Sequence, residues 1–193
     1  MSSSGPNSPG TLSAASTGNP VGSNRAYVNP SNAGASDNVY ATIGHNASSN
    51  VGAYLLATNF GFSVSGTIDG IVVEVERKAQ TNVGGSNYLV ENSVKLIKGG
   101  TVSGTDKADN VTAISTTEAY KTFGSSSDVW GLTLLDTDVN ASNFGVAYCT
   151  KGGAIPGKTA NTESVDHIRI TVYYTAGGAA GQPTTKRFGG VPF

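Results

Sequence analysis

The chain carries little charge and almost no cysteine. Charged residues make up 13% of its 193 residues and the formal net charge is −1, whereas about a quarter of an average globular protein is charged. Nucleic-acid binding requires clustered Lys and Arg, so the composition excludes nucleic acid as a partner. Cys149 is the single cysteine, which excludes an intrachain disulfide and a zinc site built from several thiolates.

Long apolar runs are also missing. No window approaches the ~18 consecutive apolar residues of a membrane span, and the polar segment after Met1 lacks the basic and apolar regions of a secretory signal. We therefore expect no membrane partner and synthesis in the cytoplasm of the producing cell.

The residues that are abundant favour turns. The chain contains 26 glycines and 7 prolines among many Ser, Thr and Asn residues, a composition typical of short strands joined by many turns. Its length suits one domain with a substantial core.

Two segments alternate between apolar and polar residues with a period of two, which predicts half-buried strands. They are TIDGIVVEVERKA at residues 67–79 and DHIRITVYY at residues 166–174. The side chains predicted to face the core are Ile71, Val73, Val75, Ile168, Ile170, Val172 and Tyr174.

Shorter apolar runs predict the remaining strands at residues 38–43, 53–58, 92–99, 117–123, 130–134 and 143–150. Eight or more strands in about 150 residues indicate an all-β fold, an antiparallel β-sandwich of the jelly-roll or a related type. We assign this sandwich to residues 25–175.

Both ends of the chain are predicted to be extended arms. Residues 1–24 hold too few large apolar side chains to order themselves, so this arm is either flexible or ordered by a partner. Residues 176–193 combine a Gly/Ala-rich linker with a tail that is either a disordered end or a docking segment. The side chains predicted to dock on a partner are Lys186, Arg187, Phe188, Val191 and Phe193.

Residues with potential catalytic chemistry are sparse. Glu74 and Glu76 share one face of a regular strand and do not converge in a cleft. His45 and His167 have no evident partner, and the serines form no nucleophile elbow. The sequence therefore predicts no catalytic residue, no cofactor and no enzyme activity.

One segment begins like a calcium-binding loop. DTDVNAS, residues 136–142, has alternating oxygen ligands, but Ala141 and Ala147 occupy the positions that require Gly and Glu. The preferred interpretation is a single helical turn capped by Asp136 or Asp138, so we expect no metal.

Trp130 is the single tryptophan and follows a polar turn. Two roles are open: a platform that stacks on a sugar ring, or a large apolar side chain in the core, which is the more frequent role. Trp130 is accordingly the possible ligand contact, and carbohydrate is a possible partner.

Several segments resemble a β-sandwich module of tailed-bacteriophage virion proteins. The likeness covers residues 25–175 and is carried by NPSNAGASDNVYATI, TIDGI, NASNFG and VDHI. It implies a non-enzymatic particle component and carries over no ligand residue. The first expectation is a capsid decoration or accessory protein, present in several copies or as a homo-oligomer, located in the virion and docked on capsid, neck or tail subunits. The alternative is a carbohydrate-binding adhesin module of a tail fibre.

Overall fold

A computed structural model describes residues 1–46, 50–80, 88–152 and 161–177. These residues form two five-stranded antiparallel sheets that pack face to face. The predicted all-β sandwich is therefore confirmed. None of the helices in these ranges has the length and apolar content needed to span a lipid bilayer.

Sheet A has the order β1-β10-β5-β8, with β3 also paired to β10. Its strands are β1 (Ser2–Asn7), β3 (Ala41–His45), β5 (Gly66–Ala79), β8 (Ala119–Gly124) and β10 (Asn161–Ala176). Sheet B has the order β2-β4-β9-β6-β7. Its strands are β2 (Thr11–Ala14), β4 (Leu55–Thr58), β6 (Leu89–Lys98), β7 (Thr101–Ser103) and β9 (Gly145–Gly152). A 3-10 helix spans Pro30–Ala33 and a helical turn, α1, spans Asp136–Val139.

The strands β5 and β10 are the longest and lie side by side in sheet A. Their alternating β-branched residues fit a pleated surface that is buried on one side. The predicted inward-facing residues are fully buried, with the exception of Tyr174, which is half-buried at the edge of the core. The core between the sheets also contains Leu55, Leu96 and Val146 from sheet B.

The N-terminal segment differs from the flexible arm that was predicted for residues 1–24. Although residues 2–7 are polar, β1 pairs with β10 through its backbone, and β2 pairs with β4. Leu12 packs against the core. Edge strands of this kind are held by backbone hydrogen bonds, which the side-chain composition does not reveal. Residues 1–14 thus supply one edge strand to each sheet.

The predicted strand at residues 130–134 is also wrong, because this segment is a turn. Trp130 has a φ of 58° and Gly131 a φ of 68°, a left-handed conformation that is incompatible with a strand. The turn directs the indole into the core, where its N–H donates to the carbonyl of Ile71 at 3.0 Å.

The interior is polar at one end of the sandwich. Arg77 forms an ion pair with Glu91, and Glu163 accepts hydrogen bonds from the hydroxyls of Tyr27 at 2.7 Å and Thr150 at 2.9 Å. Burial raises the pKa of Glu91, although the neighbouring guanidinium opposes this shift. Each of these carboxylates has protein partners, so the cluster has the character of a structural ion pair.

Candidate functional site

A groove of about 800 Å³ crosses the outer face of sheet B. Strands β2, β4, β6 and β7 contribute to it together with the segments around Asn19, Asn59 and Asn143. The lining residues are Thr11, Ser13, Asn19, Leu56, Thr58, Asn59, Ile97, Gly100, Thr101, Val102, Ser142 and Asn143. We call this surface the sheet B groove.

Local sequence patterns build the sheet B groove. In β4, Leu55 and Ala57 face the core, so that Leu56 and Thr58 face outwards. The β6–β7 hairpin turns at Gly99 and Gly100, whose φ values are 58° and 78°. A two-residue hairpin requires such positive φ values, which glycine adopts without strain.

Backbone contacts hold the two ends of the groove. Gly100 N donates to the carbonyl of Asn143 at 3.2 Å, and Gly10 N donates to the carbonyl of Asn59 at 2.8 Å. The hairpin and the β4 end are thereby fixed relative to the neighbouring segments, so the groove is present before any ligand binds.

The polar lining of the groove is uncharged and unpaired. It consists of hydroxyl and amide side chains, without Asp, Glu, Lys, Arg or His among the lining residues. Within the described ranges, the side chains of Asn19, Asn59 and Asn143 form no hydrogen bond with another residue, and neither do the lining hydroxyls. These groups are available to a ligand that can both donate and accept hydrogen bonds.

An apolar strip forms the floor. Leu56, Ile97 and Val102 line the groove and belong to a small cluster on the outer face of sheet B. The cluster also contains Tyr54, Ala15 and the fully buried Ala147 and Cys149. Burial raises the pKa of the Cys149 thiol to about 12, so this cysteine is not a nucleophile at neutral pH.

The outer face of sheet A is charged, and its charges are paired. Arg169 donates to both carboxylate oxygens of Glu74, at 2.8 and 3.1 Å, and Lys78 contacts Glu118 at 2.6 Å. Although burial raises the pKa of Glu118, hydrogen bonds from Lys78 and Tyr40 hold it below its usual value. Most charges of this face are therefore paired, although one carboxylate oxygen of Glu76 is buried without a hydrogen-bond partner among the described residues.

Three carboxylates on this face, Glu76, Glu118 and Asp166, have oxygens within 4.8 Å of one another. The backbone N–H groups of Asp37 and Asn38 donate to Asp166, at 3.4 and 3.2 Å. Lys78 also holds Glu118, so internal contacts account for two of the three carboxylates, and we assign no cation to the cluster.

The prediction that the two histidines lack partners is wrong. His45 is buried, and its Nδ1 lies 3.2 Å from the carbonyl oxygen of Asn50. Burial lowers the pKa of His45 to about 4. His167 lies within 2.8 Å of both Ser8 and Tyr120. Sequence reasoning missed these contacts because Ser8 and Tyr120 lie far from His167 along the chain.

The remaining predictions concern Trp130, residues 136–142 and the C-terminal docking residues. Trp130 is fully buried, which contradicts its assignment as a ligand contact and agrees with the core role. The helical turn predicted for DTDVNAS is present as α1, where Asp138 accepts a hydrogen bond from Leu135 N at 2.8 Å. Lys186, Arg187, Phe188, Val191 and Phe193 lie outside the described residues, so their docking role stays a prediction.

No protein-family model and no curated protein sequence matches the chain. Among solved structures, one described as "CBM4 structure and function" is similar over 70% of this chain and 85% of its own, with 13% identity and a TM-score of 0.38. The N-terminal cellulose-binding domain of β-1,4-glucanase C from Cellulomonas fimi is similar over 87% of this chain and 92% of its own, with 10% identity and a TM-score of 0.38. At such low sequence identity and TM-score, these similarities do not indicate the ligand of this chain.

Proposed function

We propose that the chain is a carbohydrate-binding module and that its ligand is a neutral glycan bound in the sheet B groove. The observation that carries this proposal is the combination of unpaired, uncharged polar side chains with an aliphatic floor in one groove. Binding of this kind requires no catalytic residue, which accords with the sequence-based expectation of a non-enzyme.

The size of the groove supports a ligand-binding role. Its volume of about 800 Å³ lies within the range of ~300–1,000 Å³ that is typical of small-molecule sites. Its lining comes from four strands and four connecting segments, so a ligand that fills it contacts both edge strands of sheet B, β2 and β7.

The chemistry of the lining favours a neutral sugar over a charged ligand. Phosphate, sulfate and carboxylate groups are recognised by Arg and Lys, and none of the lining residues is of this type. Sugar hydroxyls donate and accept hydrogen bonds, as do the hydroxyls and amides of the groove. The C–H faces of sugar rings match the aliphatic side chains of Leu56, Ile97 and Val102.

The lining also sets the expected affinity. No aromatic side chain lines the groove, so a sugar gains no stacking energy there. We expect a Kd of roughly 0.1–1 mM, equivalent to about 4–5.5 kcal/mol of binding free energy.

The resemblance to virion modules supports a location for this activity. We propose that the module belongs to a tailed-phage particle, where it acts as an adhesin on a tail fibre or another surface protein. Glycan binding and a place in a phage particle fit together if the module recognises a glycan on the surface of the host. The decoration function predicted first uses both terminal arms for docking. The N-terminal residues pair with the two sheets, and the C-terminal tail lies outside the described residues.

Affinity electrophoresis tests the proposed ligand class. The purified protein is run through gels that contain neutral polysaccharides (mannan, xylan, dextran or β-glucan) or acidic ones (alginate or polygalacturonate). We expect at least one neutral polysaccharide to retard the protein and the acidic ones to leave its mobility unchanged. Retardation by acidic polysaccharides alone, or by none of the set, would contradict the proposal.

A pair of variants locates the site. Thr101→Arg places a long charged side chain in the groove, on the exposed strand β7. Thr122→Arg is the matched control, since Thr122 is exposed on strand β8 of sheet A. We expect Thr101→Arg to weaken retardation by roughly tenfold or more, equivalent to ~1.4 kcal/mol, and Thr122→Arg to leave it unchanged. Equal effects of the two variants would place the site elsewhere.

A further inference from the structure

A row of hydrogen-bonded side chains crosses the outer face of sheet A. Ser8 Oγ lies 2.8 Å from His167 Nε2, and His167 Nδ1 lies 2.8 Å from the hydroxyl oxygen of Tyr120. Burial, followed by a hydrogen bond with the Glu76 carboxylate, raises the pKa of the Tyr120 hydroxyl. This row lies on the opposite face of the sandwich from the sheet B groove. An inference drawn from it does not depend on the carbohydrate proposal.

Strand register produces this row. His167 on β10 pairs with Glu76 on β5, and Glu76 pairs with Tyr120 on β8. Residues paired directly across neighbouring strands point to the same face and approach closely. Ser8 follows β1, the edge strand beside β10, and reaches the end of the row from there. Three strands and the N-terminal segment thus assemble four chemically different groups.

The neighbouring Glu76 carboxylate favours one direction of these hydrogen bonds. A carboxylate accepts, so the Tyr120 hydroxyl donates to Glu76. The Tyr120 oxygen then accepts from the Ser36 hydroxyl and from the N–H at Nδ1 of His167. In the tautomer with its N–H on Nδ1, Nε2 of the neutral imidazole keeps its lone pair and accepts a hydrogen bond from the Ser8 hydroxyl. The serine hydroxyl therefore faces a base that a third group orients.

The surroundings keep this base in its neutral form. His167 is 8% exposed, and burial, followed by the charge of Arg169, lowers its pKa below the usual value, against the opposing charges of Glu76, Asp166 and Glu74. At neutral pH the imidazole can therefore accept a proton. Ser8 itself is exposed, so an electrophile can reach its oxygen.

We propose that Ser8 is an activated nucleophile and that it takes up the acyl group of small activated esters. A serine within hydrogen-bond reach of an oriented base is the arrangement that activates a hydroxyl for nucleophilic attack. The Ser8 Oγ attacks the carbonyl carbon, and its proton passes to His167 Nε2. The new Oγ–C bond forms as the bond between that carbon and the leaving oxygen breaks. The leaving oxygen takes the proton from His167, which yields an acylated Ser8 and a free alcohol.

Fluorophosphonate labelling of the full chain tests this proposal. The same attack on phosphorus forms an Oγ–P bond and releases fluoride with the proton, and peptide mass spectrometry locates the adduct. We expect Ser8 to be labelled at least roughly tenfold faster than any other serine, since a positioned general base contributes about 10²–10⁴-fold. Ser8→Ala is expected to lose the adduct, whereas the matched control Ser3→Ala, on exposed β1, retains it.

Two further variants separate activation from mere exposure. His167→Gln removes the base, and we expect its Ser8 labelling to slow by roughly tenfold or more. Tyr120→Phe removes a positioning hydroxyl, so it is expected to shift the pH profile of labelling. In the unmodified protein, labelling slows as protonation of His167 sets in at low pH. Ser8 labelling no faster than that of Ser3, or a wild-type rate and pH profile in His167→Gln, would overturn the proposal. Circular dichroism verifies that each variant is folded.

Discussion

The outer faces of the two sheets differ in how they satisfy their polar side chains. On sheet A, Arg169 pairs with Glu74 and Lys78 pairs with Glu118. In the sheet B groove, the lining hydroxyls and amides form no hydrogen bond with another described residue. Paired charges stabilise one sheet surface, whereas unpaired neutral groups beside an aliphatic strip leave the other surface available for a ligand. This difference, more than the fold, is the basis for the proposed sugar site in the sheet B groove.

The largest expected effect concerns the core that supports both faces. Ile170 is fully buried between the sheets, so Ile170→Ala is expected to cost about 2–5 kcal/mol of unfolding free energy through lost burial and a residual cavity. Chemical denaturation measures this loss. Val111→Ala is the control, because Val111 is 79% exposed and its truncation should stay within about 0.5 kcal/mol. Equal effects of the two substitutions would show that the assignment of the core is wrong.

The next effect concerns the dependence of stability on pH. The pKa of His45 is about 4 in the folded protein and ~6.5 in an unfolded chain. Protonation therefore favours the unfolded state, and the stabilising contribution of neutral His45 is complete above pH ~6.5 and is lost as the pH falls towards 4. The expected loss is about 3 kcal/mol.

Comparing the wild type with His45→Gln at several pH values isolates this contribution. The wild type should lose more stability between pH 7 and 4 than the variant, since glutamine does not titrate. Glycan binding should stay constant over the part of this range where the protein is folded, because no titratable side chain lines the groove. Parallel pH profiles of the two proteins would contradict the role of His45.

A smaller effect concerns the paired charges of sheet A. The guanidinium of Arg169 is bidentate to Glu74 and lies 3.8 Å from the centroid of the Tyr120 ring. Both side chains of the pair are partly exposed, so we expect Glu74→Gln to cost only about 0.2–1 kcal/mol. The cost should shrink in high salt, which screens such pairs. A larger loss that does not depend on salt would mean that this face is more than a solvated ion-pair surface.

The smallest effect on stability belongs to the groove. Thr101→Val removes a hydroxyl that has no partner among the described residues, so its unfolding free energy should stay within about 0.5 kcal/mol of the wild type. The same substitution should weaken glycan binding, because the ligand loses one hydrogen bond. A loss of stability without a loss of binding would reverse the proposed roles of the two faces.

The sequence predicts the fold better than the site. Alternation along β5 and β10 identifies six fully buried core residues, because a period of two directly reflects a half-buried sheet. The turn at Trp130 was missed, since its apolar neighbours look like a strand while its positive φ is set by tertiary packing. The N-terminal strands were missed because backbone pairing needs no apolar side chains.

The candidate sites depend on contacts between distant parts of the chain. The groove joins residues as far apart as Thr11 and Asn143, and the Ser8–His167 contact joins residues separated by 159 positions. Strand order and register bring these residues together, and neither is encoded in a local motif. For Trp130, residue type alone left a sugar contact open beside the preferred core role, and its burial decides for the core.

NMR chemical-shift mapping can locate the binding of a neutral glycan in the sheet B groove residue by residue. The ¹⁵N-labelled protein is titrated with maltohexaose, cellohexaose, xylohexaose and mannohexaose. We expect at least one of them to shift the amide resonances of Asn59, Thr101 and Asn143 and to leave those of Thr122 and Arg169 unchanged. Shifts confined to the outer face of sheet A, or no shift with any of these sugars, would contradict the account.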